Sequence, residues 1–533
     1  MHPHDAQVSV IVIGYDDGTH VTDAVRSALT QGGVVREVIA VDDCSTDGSA
    51  ELLDALAAED PRVKVVRRTV NSGGCGTPRN DGIDAVTAPY LMFLDSDDVL
   101  PPGAVDALLM AAVAHDTQLA AGLCVRRELP SGREVPWQPE LYERAAVVSH
   151  PSRRPRLVHD TLCVNKLYRT DFLREHDIRF PEGRFPYEDF VFSARVLAAG
   201  PSIALVPDPV YVWHVRRSAQ RLSLSLDRAD IDNWKARMTA SRQAYDILLG
   251  AGEKRLARAS RSTFLNRGLR MYARELPLRE AEYRDTWWKL TRAYLSDFDA
   301  ADFAQASAPG RVIAQVVLAT EQPRDLHRLK ELAARPARLT PPYANTAEGI
   351  PVWSADLPQV QLEHLLHRPV RHLPVAVDAE LRPHLRAARL RLHLHELYGR
   401  MENARPARAD VEFALREDST RVGLTRTAAL KRDAAGDGWT AETSVDLQAL
   451  GAGTWDLQLT LHFDDGTSRD TTAHALTGPG LLRRRAVPSL RHGVLLVQPY
   501  ATHSGALALR LAPGARGVTS VVGRRLRRLL HLK

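Results

Sequence analysis

Five apolar residues, Tyr90 to Leu94, run straight into three carboxylates, Asp95, Asp97 and Asp98. This junction constrains the chain more than any other stretch. A short apolar run bounded by Pro89 and an acidic turn predicts a strand buried on both faces, as in parallel sheets of α/β proteins. Residues two apart on a strand project to one side, so Asp95 and Asp97 are expected to face a common point just beyond the strand end. Ligands of open α/β sheets bind at that place. Two carboxylates suit a hard cation, Mn²⁺ or Mg²⁺, whose remaining ligands come from substrate phosphates. Taken alone, the pattern serves equally well as a solvated acidic turn before a helix opened by Pro101 and Pro102.

Upstream, the arrangement repeats. Val8-Ser-Val-Ile-Val-Ile-Gly14, residues 37–41 and residues 63–66 are β-branched runs that read as strands, with helix patterns from about Thr19, Gly48 and Pro78 between them. A β-α-β-α-β-α-β alternation implies a doubly wound parallel sheet. Tyr15, Asp42, Arg67 and Asp95 stand at the four strand ends. There is no G-x-x-x-x-G-K-[ST] loop, and the first strand is followed by Gly-Tyr-Asp-Asp, not G-x-G-x-x-G. The glycine-rich Asn71-Ser-Gly-Gly-Cys-Gly-Thr-Pro-Arg79 follows the third strand. Its glycines are expected to let backbone approach a ligand, with Arg79 aimed at phosphate oxygens.

Four motifs in order, Val8-Ser-Val-Ile-Val-Ile-Gly-Tyr15, Val41-Asp-Asp-Cys-Ser-Thr-Asp-Gly48, Asn71 to Ile83 and Phe93-Leu-Asp-Ser-Asp-Asp98, resemble family 2 glycosyltransferases of the GT-A fold. The resemblance runs from about Val8 to Ser225. It implies a nucleotide-diphosphate sugar, UDP-linked, lying across the strand ends. By position, Tyr15 and Asp42 would meet the base, Arg79 the nucleotide or diphosphate, and Asp95 the ribose, with Asn71 and Ser96 in the same donor site. Asp97 would bind the metal. Cys44 stands where the family more often has Gly or Asn, and Pro78 where it more often has Ala; neither change removes a functional group.

Transfer to a hydroxyl also needs a base to take its proton. Glu188 and Asp189 open a helix pattern, where acidic residues are favoured by the helix dipole in any case. The resemblance assigns Asp189 as base and Glu188 as its orienting neighbour, with Asn165-Lys166-Leu-Tyr168 on the acceptor side. One base opposite the leaving diphosphate implies inversion. Val210-Tyr-Val-Trp-His214-Val-Arg216 closes the region. Here His214 is a candidate metal ligand and Arg216 a candidate for neutralising the leaving group.

The rest divides by periodicity. We expect a GT-A catalytic domain over 1–225, a helical buttress over 226–340, a β-sandwich-like, immunoglobulin-like domain over 341–513 and a basic amphipathic tail over 514–533. Trp287-Trp288 is expected to pack in a core. His393 and His395 share a face opposite leucines and are expected to be solvated. Residues 481–533 hold eleven Lys or Arg and no Asp or Glu, so the first 480 carry 59 basic against 65 acidic groups. That argues against a nucleic-acid partner for the body and for an anionic membrane surface as partner of the tail. No run of 18 apolar residues occurs. The N-terminus lacks a signal-peptide layout, and the four cysteines form no C-x-x-C pair. A cytoplasmic setting, peripheral at the inner face of the membrane, is therefore expected.

The expected activity is metal-dependent, inverting transfer of a sugar to a hydroxyl of a cell-wall polymer, polysaccharide or lipid-linked acceptor, with the β domain as a candidate homo-oligomer contact. Two other readings stay open: a sugar nucleotidyltransferase, and a non-catalytic polymer-binding scaffold with a relic nucleotide site.

Overall fold

The computed structural model describes residues 7–216, 227–384, 387–416, 418–489 and 493–514. The chain forms two compact units, Met1–Gly268 with Arg279–Ser307, and Leu269–Leu278 with Ala308–Lys533. The helical stretch expected as one buttress is thus shared between them. Most of the basic tail lies outside the described residues.

In the first unit the alternation runs β1 (Val8–Gly14), α1 (Val21–Leu29), β2 (Val35–Asp42), α2 (Ser49–Glu59), β3 (Val63–Arg67), α3 (Gly76–Ala85), β4 (Tyr90–Asp95) and α4 (Ala104–Ala114). It continues with β5 (Leu119–Leu129), β6 (Arg133–Trp137), β7 (Ala146–Val148), β8 (Lys166–Arg169), α5 (Thr170–Glu175), α6 (Glu188–Ala198) and β9 (Ile203–Arg216). The strands join in the order β3-β2-β1-β4-β8-β5-β9-β7, with β6 on β5. β1 to β4 are mutually parallel, whereas β8 runs antiparallel between β4 and β5. The apolar residues of β1, β2 and β4 are all buried, as their near-continuous hydrophobic runs require.

Strand order reverses on either side of β1, which makes the ends of β1 and β4 the switch point where such sheets bind ligands. The register brings the ends level: Gly14 pairs with Asp42 and Ile13 with Asp95. Two helices, α7 (Ile231–Gly250) and α8 (Lys254–Thr263), then pack behind α6. Trp287 and Trp288 are fully buried, Trp234 stacks on Trp287 at 5.5 Å, and the Trp234 indole N–H donates to Thr291 Oγ1 at 3.0 Å.

The second unit opens with helices and ends in two sheets, a five-stranded one built on Val377–Pro383, Ala387–His395 and Gly438–Asp446, and a seven-stranded one built on Pro406–Leu415, Gly453–Phe463 and Leu507–Pro513. Their pairing is antiparallel, except that Ala473–Ala475 joins Val377–Pro383 in parallel. The alternation read from 389–395 is real: Leu390, Leu392 and Leu394 are buried and Arg389 and Arg391 exposed. The two histidines on the polar face, however, are engaged rather than solvated. His395 Nε2 lies 2.7 Å from Asp378 Oδ2, and the His393 nitrogens face Asp433 at 3.7 Å and Asp437 at 3.9 Å. The Asp433–Asp437 hairpin folds back over His393, a contact between distant segments that periodicity does not encode.

Candidate active site

The site is built where β1, β2 and β4 end. Asp95, the last residue of β4, has its Oδ1 2.7 Å from Arg79 Nη2. The other terminal nitrogen of Arg79, Nη1, donates to Glu188 Oε1 at 2.6 Å and Asp189 Oδ1 at 3.1 Å. One guanidinium, 2% exposed, thus joins three carboxylates from two distant segments. Arg79, expected to meet the nucleotide or diphosphate, has both terminal nitrogens on these carboxylates. The loop glycines are also used differently. A Cβ on Gly76 would stand 2.0 Å from the Pro181 carbonyl and one on Gly74 2.5 Å from that of Gly183, so they admit the 181–183 backbone rather than a ligand.

Glu188 and Asp189 begin α6, and the residue before them, Tyr187, is held at φ 69°. Its hydroxyl donates to Asn233 Oδ1 at 2.7 Å and Arg237 covers its ring at 4.9 Å. The helices behind the sheet therefore hold the turn that aims both carboxylates at Arg79. Burial, reinforced by Asp189 alongside, pushes Glu188 up to about 7. Burial also raises Asp189, against the pull of Arg79, and Asp95 adds to the rise. The Cys163 thiol hydrogen-bonds Asp189.

The turn after β4 is pinned to β9. Val99 and Val212 exchange backbone hydrogen bonds, and Asp98, fully withdrawn, accepts from the His214 N–H at 2.7 Å and from the Tyr211 hydroxyl at 2.8 Å. Asp97 is turned outward. Arg216 Nη1 reaches its carbonyl at 2.9 Å and its Oδ2 at 3.3 Å. His214 Nδ1 lies 3.1 Å from the same carbonyl. A carbonyl only accepts, so Nδ1 carries the proton and Nε2 keeps its lone pair. Desolvation, then the charges of Asp95 and Asp17, push Asp97 up to about 6. Asp97 and His214, joined through the Asp97 carbonyl, offer the oxygen and nitrogen donors that a divalent cation takes.

The remaining donor-site candidates fall into two kinds. Asp42 is buried, with Oδ2 taking the Ser45 N–H at 3.2 Å and Oδ1 without a hydrogen-bond partner among the described residues. Tyr15 lies at the open end of β1. Asn71 and Ser96 instead hold protein. Asn71 Nδ2 donates to the Asp43 carbonyl at 2.9 Å, and Ser96 Oγ donates to Asp17 Oδ2 at 2.7 Å. Cys44 has φ 65°, a left-handed conformation that Gly or Asn adopts more readily.

Sequence reasoning named Asp98 without a role and passed over Tyr211, Asp17 and Asp160. Asp160 is fully buried and receives the Trp137 indole at 3.0 Å, Asn165 Nδ2 at 2.9 Å, Lys166 Nζ at 2.9 Å and the Tyr142 hydroxyl. That network fixes the segment leading to Cys163. Its only sequence signal was the polar pair Asn165-Lys166 ahead of an apolar strand.

Fold and site together define a GT-A-type α/β domain. Residues 9–177 match the model of glycosyl transferase family 2. The chain is 31% identical over 232 residues to the succinoglycan biosynthesis protein ExoO of Rhizobium meliloti, covering 42% of this chain and 65% of the relative. It is 30% identical over 217 residues to the poly(ribitol-phosphate) β-N-acetylglucosaminyltransferase TarS of Staphylococcus aureus, covering 40% and 36%. It thus spans less than two-thirds of the length of either relative. The crystal structure of S. aureus TarS covers 96% of this chain and 86% of its own at a TM-score of 0.53 and 17% identity. TarS 1–349 in complex with UDP-GlcNAc covers 65% of this chain and 96% of its own, at 0.50 and 20%. These likenesses show a shared fold. No helix among the described residues is long and apolar enough to cross a membrane.

Proposed function

We propose that the chain is a metal-dependent, inverting glycosyltransferase that moves a sugar from a nucleotide-diphosphate donor, UDP-linked as in the TarS complex, to a hydroxyl of a cell-wall polymer, polysaccharide or lipid-linked acceptor. The observation that carries this reading is the Arg79 bridge. It ties Asp95, on the donor side, to Glu188 and Asp189, so that a proton acceptor sits one guanidinium away from the strand-end carboxylates.

In this scheme Asp189 takes the proton of the acceptor hydroxyl as its oxygen attacks the anomeric carbon. The new C–O bond forms while the bond to the diphosphate oxygen breaks, and the diphosphate leaves with the electron pair. Glu188 orients acceptor or sugar. The unpartnered Asp42 Oδ1 and half-buried Tyr15, just past β1, receive the base, and Arg216 faces the negative charge of the leaving group. Asp97 and His214 Nε2 would hold Mn²⁺ or Mg²⁺, which would supply charge neutralisation at the diphosphate.

The test is nucleotide release from UDP-, GDP- and dTDP-sugars with Mn²⁺ or Mg²⁺, comparing wild type, Asp97→Ala and Asp189→Asn. Turnover of one donor, lost on chelation, is expected to fall by about 10²–10⁴ in Asp189→Asn while donor binding persists. Wild-type-like turnover in Asp189→Asn would remove the base, and turnover unaffected by chelation and by Asp97→Ala would remove the metal.

A further inference from the structure

Among the described residues of the second unit, histidines that meet carboxylates close to hydrogen-bond distance, with one exception. His395 Nε2 lies 2.7 Å from Asp378, His462 Nε2 2.7 Å from Asp410 and His474 Nδ1 3.1 Å from Glu331. His393 stands off: its Nδ1 is 3.7 Å from Asp433 Oδ2, and its Nε2 is 3.9 Å from Asp437 Oδ1. Both gaps exceed a hydrogen bond, and neither nitrogen has another hydrogen-bond partner among the described residues. Nor do Asp433 and Asp437 pair with a lysine or arginine there. The neighbouring Arg432 faces Glu396 at 3.5 Å and Glu402 at 3.8 Å instead.

The five-stranded sheet builds this arrangement. Strand Lys431–Arg432 pairs with Gly438–Asp446, which in turn pairs with Ala387–His395, so the hairpin between the first two reaches the end of the third. Asp433 Oδ1 closes the turn by accepting the Gly436 N–H at 2.7 Å and the Asp437 N–H at 3.1 Å. Its Oδ2 is left facing His393. Gly438 makes room for the imidazole, since a Cβ there would stand 3.0 Å from Cε1 and Nε2 of His393. One nitrogen of His393 and one carboxylate oxygen from each aspartate thereby lie within 4.8 Å of one another.

Two carboxylates gathered at one imidazole, neither hydrogen-bonded to it, repel each other unless a cation lies between them. Bonds of about 2.0–2.2 Å to nitrogen and oxygen set the donors of a tetrahedral Zn²⁺ about 3.4 Å apart, close to the stand-off of His393. An imidazole among the donors favours Zn²⁺ and its transition-metal neighbours over Mg²⁺ and Ca²⁺, which prefer oxygen. We propose that His393, Asp433 and Asp437 bind a divalent ion of the Zn²⁺ class, with water completing its shell. The ion fastens the 433–437 hairpin to the sheet. This site shares no residue with Asp97 and His214 and does not depend on the proposed reaction.

The test is calorimetric titration of the full chain with Zn²⁺ in excess Mg²⁺, in an Asp97→Ala background that removes binding at the strand ends. A single equivalent of Zn²⁺ is expected to bind. With free Zn²⁺ about ten times Kd, hydrogen exchange of peptides over 431–440 is expected to slow about tenfold. Adding His393→Gln or Asp433→Asn is expected to weaken binding by about tenfold or more and to abolish that protection. Asp433→Asn keeps the oxygen that closes the turn, and unchanged exchange in the rest of the unit checks that both variants fold. Absence of Zn²⁺ binding, or binding that survives both substitutions, would overturn the proposal. So would displacement by Mg²⁺, or protection spread over the chain rather than gathered at 431–440. The titration needs no turnover, so a chain inactive with every donor would refute the proposed function and leave this site standing.

Discussion

Arg79 in the first unit and Arg338 in the second are buried to the same degree, 2% exposed, yet they sit in opposite electrostatic situations. Arg79 faces three carboxylates, Asp95, Glu188 and Asp189. Arg338 faces two, Glu331 at 2.5 Å and Asp378 at 3.0 Å, and each of those has an imidazole as well: His474 Nδ1 is 3.1 Å from Glu331, and His395 Nε2 is 2.7 Å from Asp378. The second network closes on itself and reads as a fastening between the helix Leu326–Ala333 and the five-stranded sheet. The first has surplus negative charge at the open end of a sheet. A surplus that the protein does not neutralise internally suits a site that moves protons and meets cations.

The comparison can be broken by removing each arginine. Arg79→Met would leave three partly buried carboxylates without their cation and is expected to destabilise the first unit by about 3–5 kcal/mol. Arg338→Met leaves an imidazole on each carboxylate, so the expected cost is smaller, about 1–3 kcal/mol. Denaturant-dependent hydrogen exchange, read on peptides of each unit separately, measures both. An Arg338→Met cost equal to or above that of Arg79→Met would mean that the histidines contribute nothing and the networks are equivalent.

A middle-sized effect follows from pH. Glu188, raised to about 7, binds its proton more tightly folded than unfolded. Its contribution is therefore fully present below the ordinary carboxylate range and is lost as pH rises through about 7. Asp378 and Glu331 are lowered, burial being outweighed by the His395 and His474 hydrogen bonds respectively and by Arg338. Their contribution is present above the ordinary range and is lost as pH falls below it. Between pH 8 and 5, protection of peptides around 188–198 is expected to rise while those around 329–339 and 376–383 stay constant; by pH 3 the latter weaken. Transfer is expected to move the other way in the upper window, because protonating the Glu188–Asp189 pair removes the base. Activity that rises together with stability on acidification would exclude Asp189 from that role.

What the sequence disclosed, and what it hid, follows the same division. Strand runs that end in carboxylates are local, so the parallel sheet and its polar strand ends at Asp42 and Asp95 were legible. Periodicity of two likewise disclosed the β-rich second unit. The Arg79 bridge was not legible, since it joins residues more than a hundred positions apart, and a glycine-rich loop followed by Arg looks the same whether it faces phosphate or its own carboxylates. The glycines misled for the same reason: a close approach was correctly implied, but its occupant was the 181–183 backbone. His393 and His395 were read from one strand, while the partners that engage them come from a neighbouring strand and a hairpin elsewhere in the sheet.

The smallest expected effect concerns Asp98, the residue after Asp97. Burial, with Asp97 and Asp95 adjacent, raises Asp98 well above the ordinary carboxylate range, which favours its neutral form over an added charge at the end of β4. Its two oxygens serve the His214 N–H and the Tyr211 hydroxyl. A neutral carboxyl resembles a carboxamide in shape and hydrogen bonding. Asp98→Asn is therefore expected to change stability by less than about 1 kcal/mol and leave transfer near wild type, whereas Asp98→Ala leaves the His214 amide and the Tyr211 hydroxyl unpaired at about 1–3 kcal/mol. Thermal unfolding and donor turnover of both variants measure this. Loss of turnover in Asp98→Asn with the fold intact would show that Asp98 works ionised, and the surplus charge at the end of β4 would then be larger by one than this account allows.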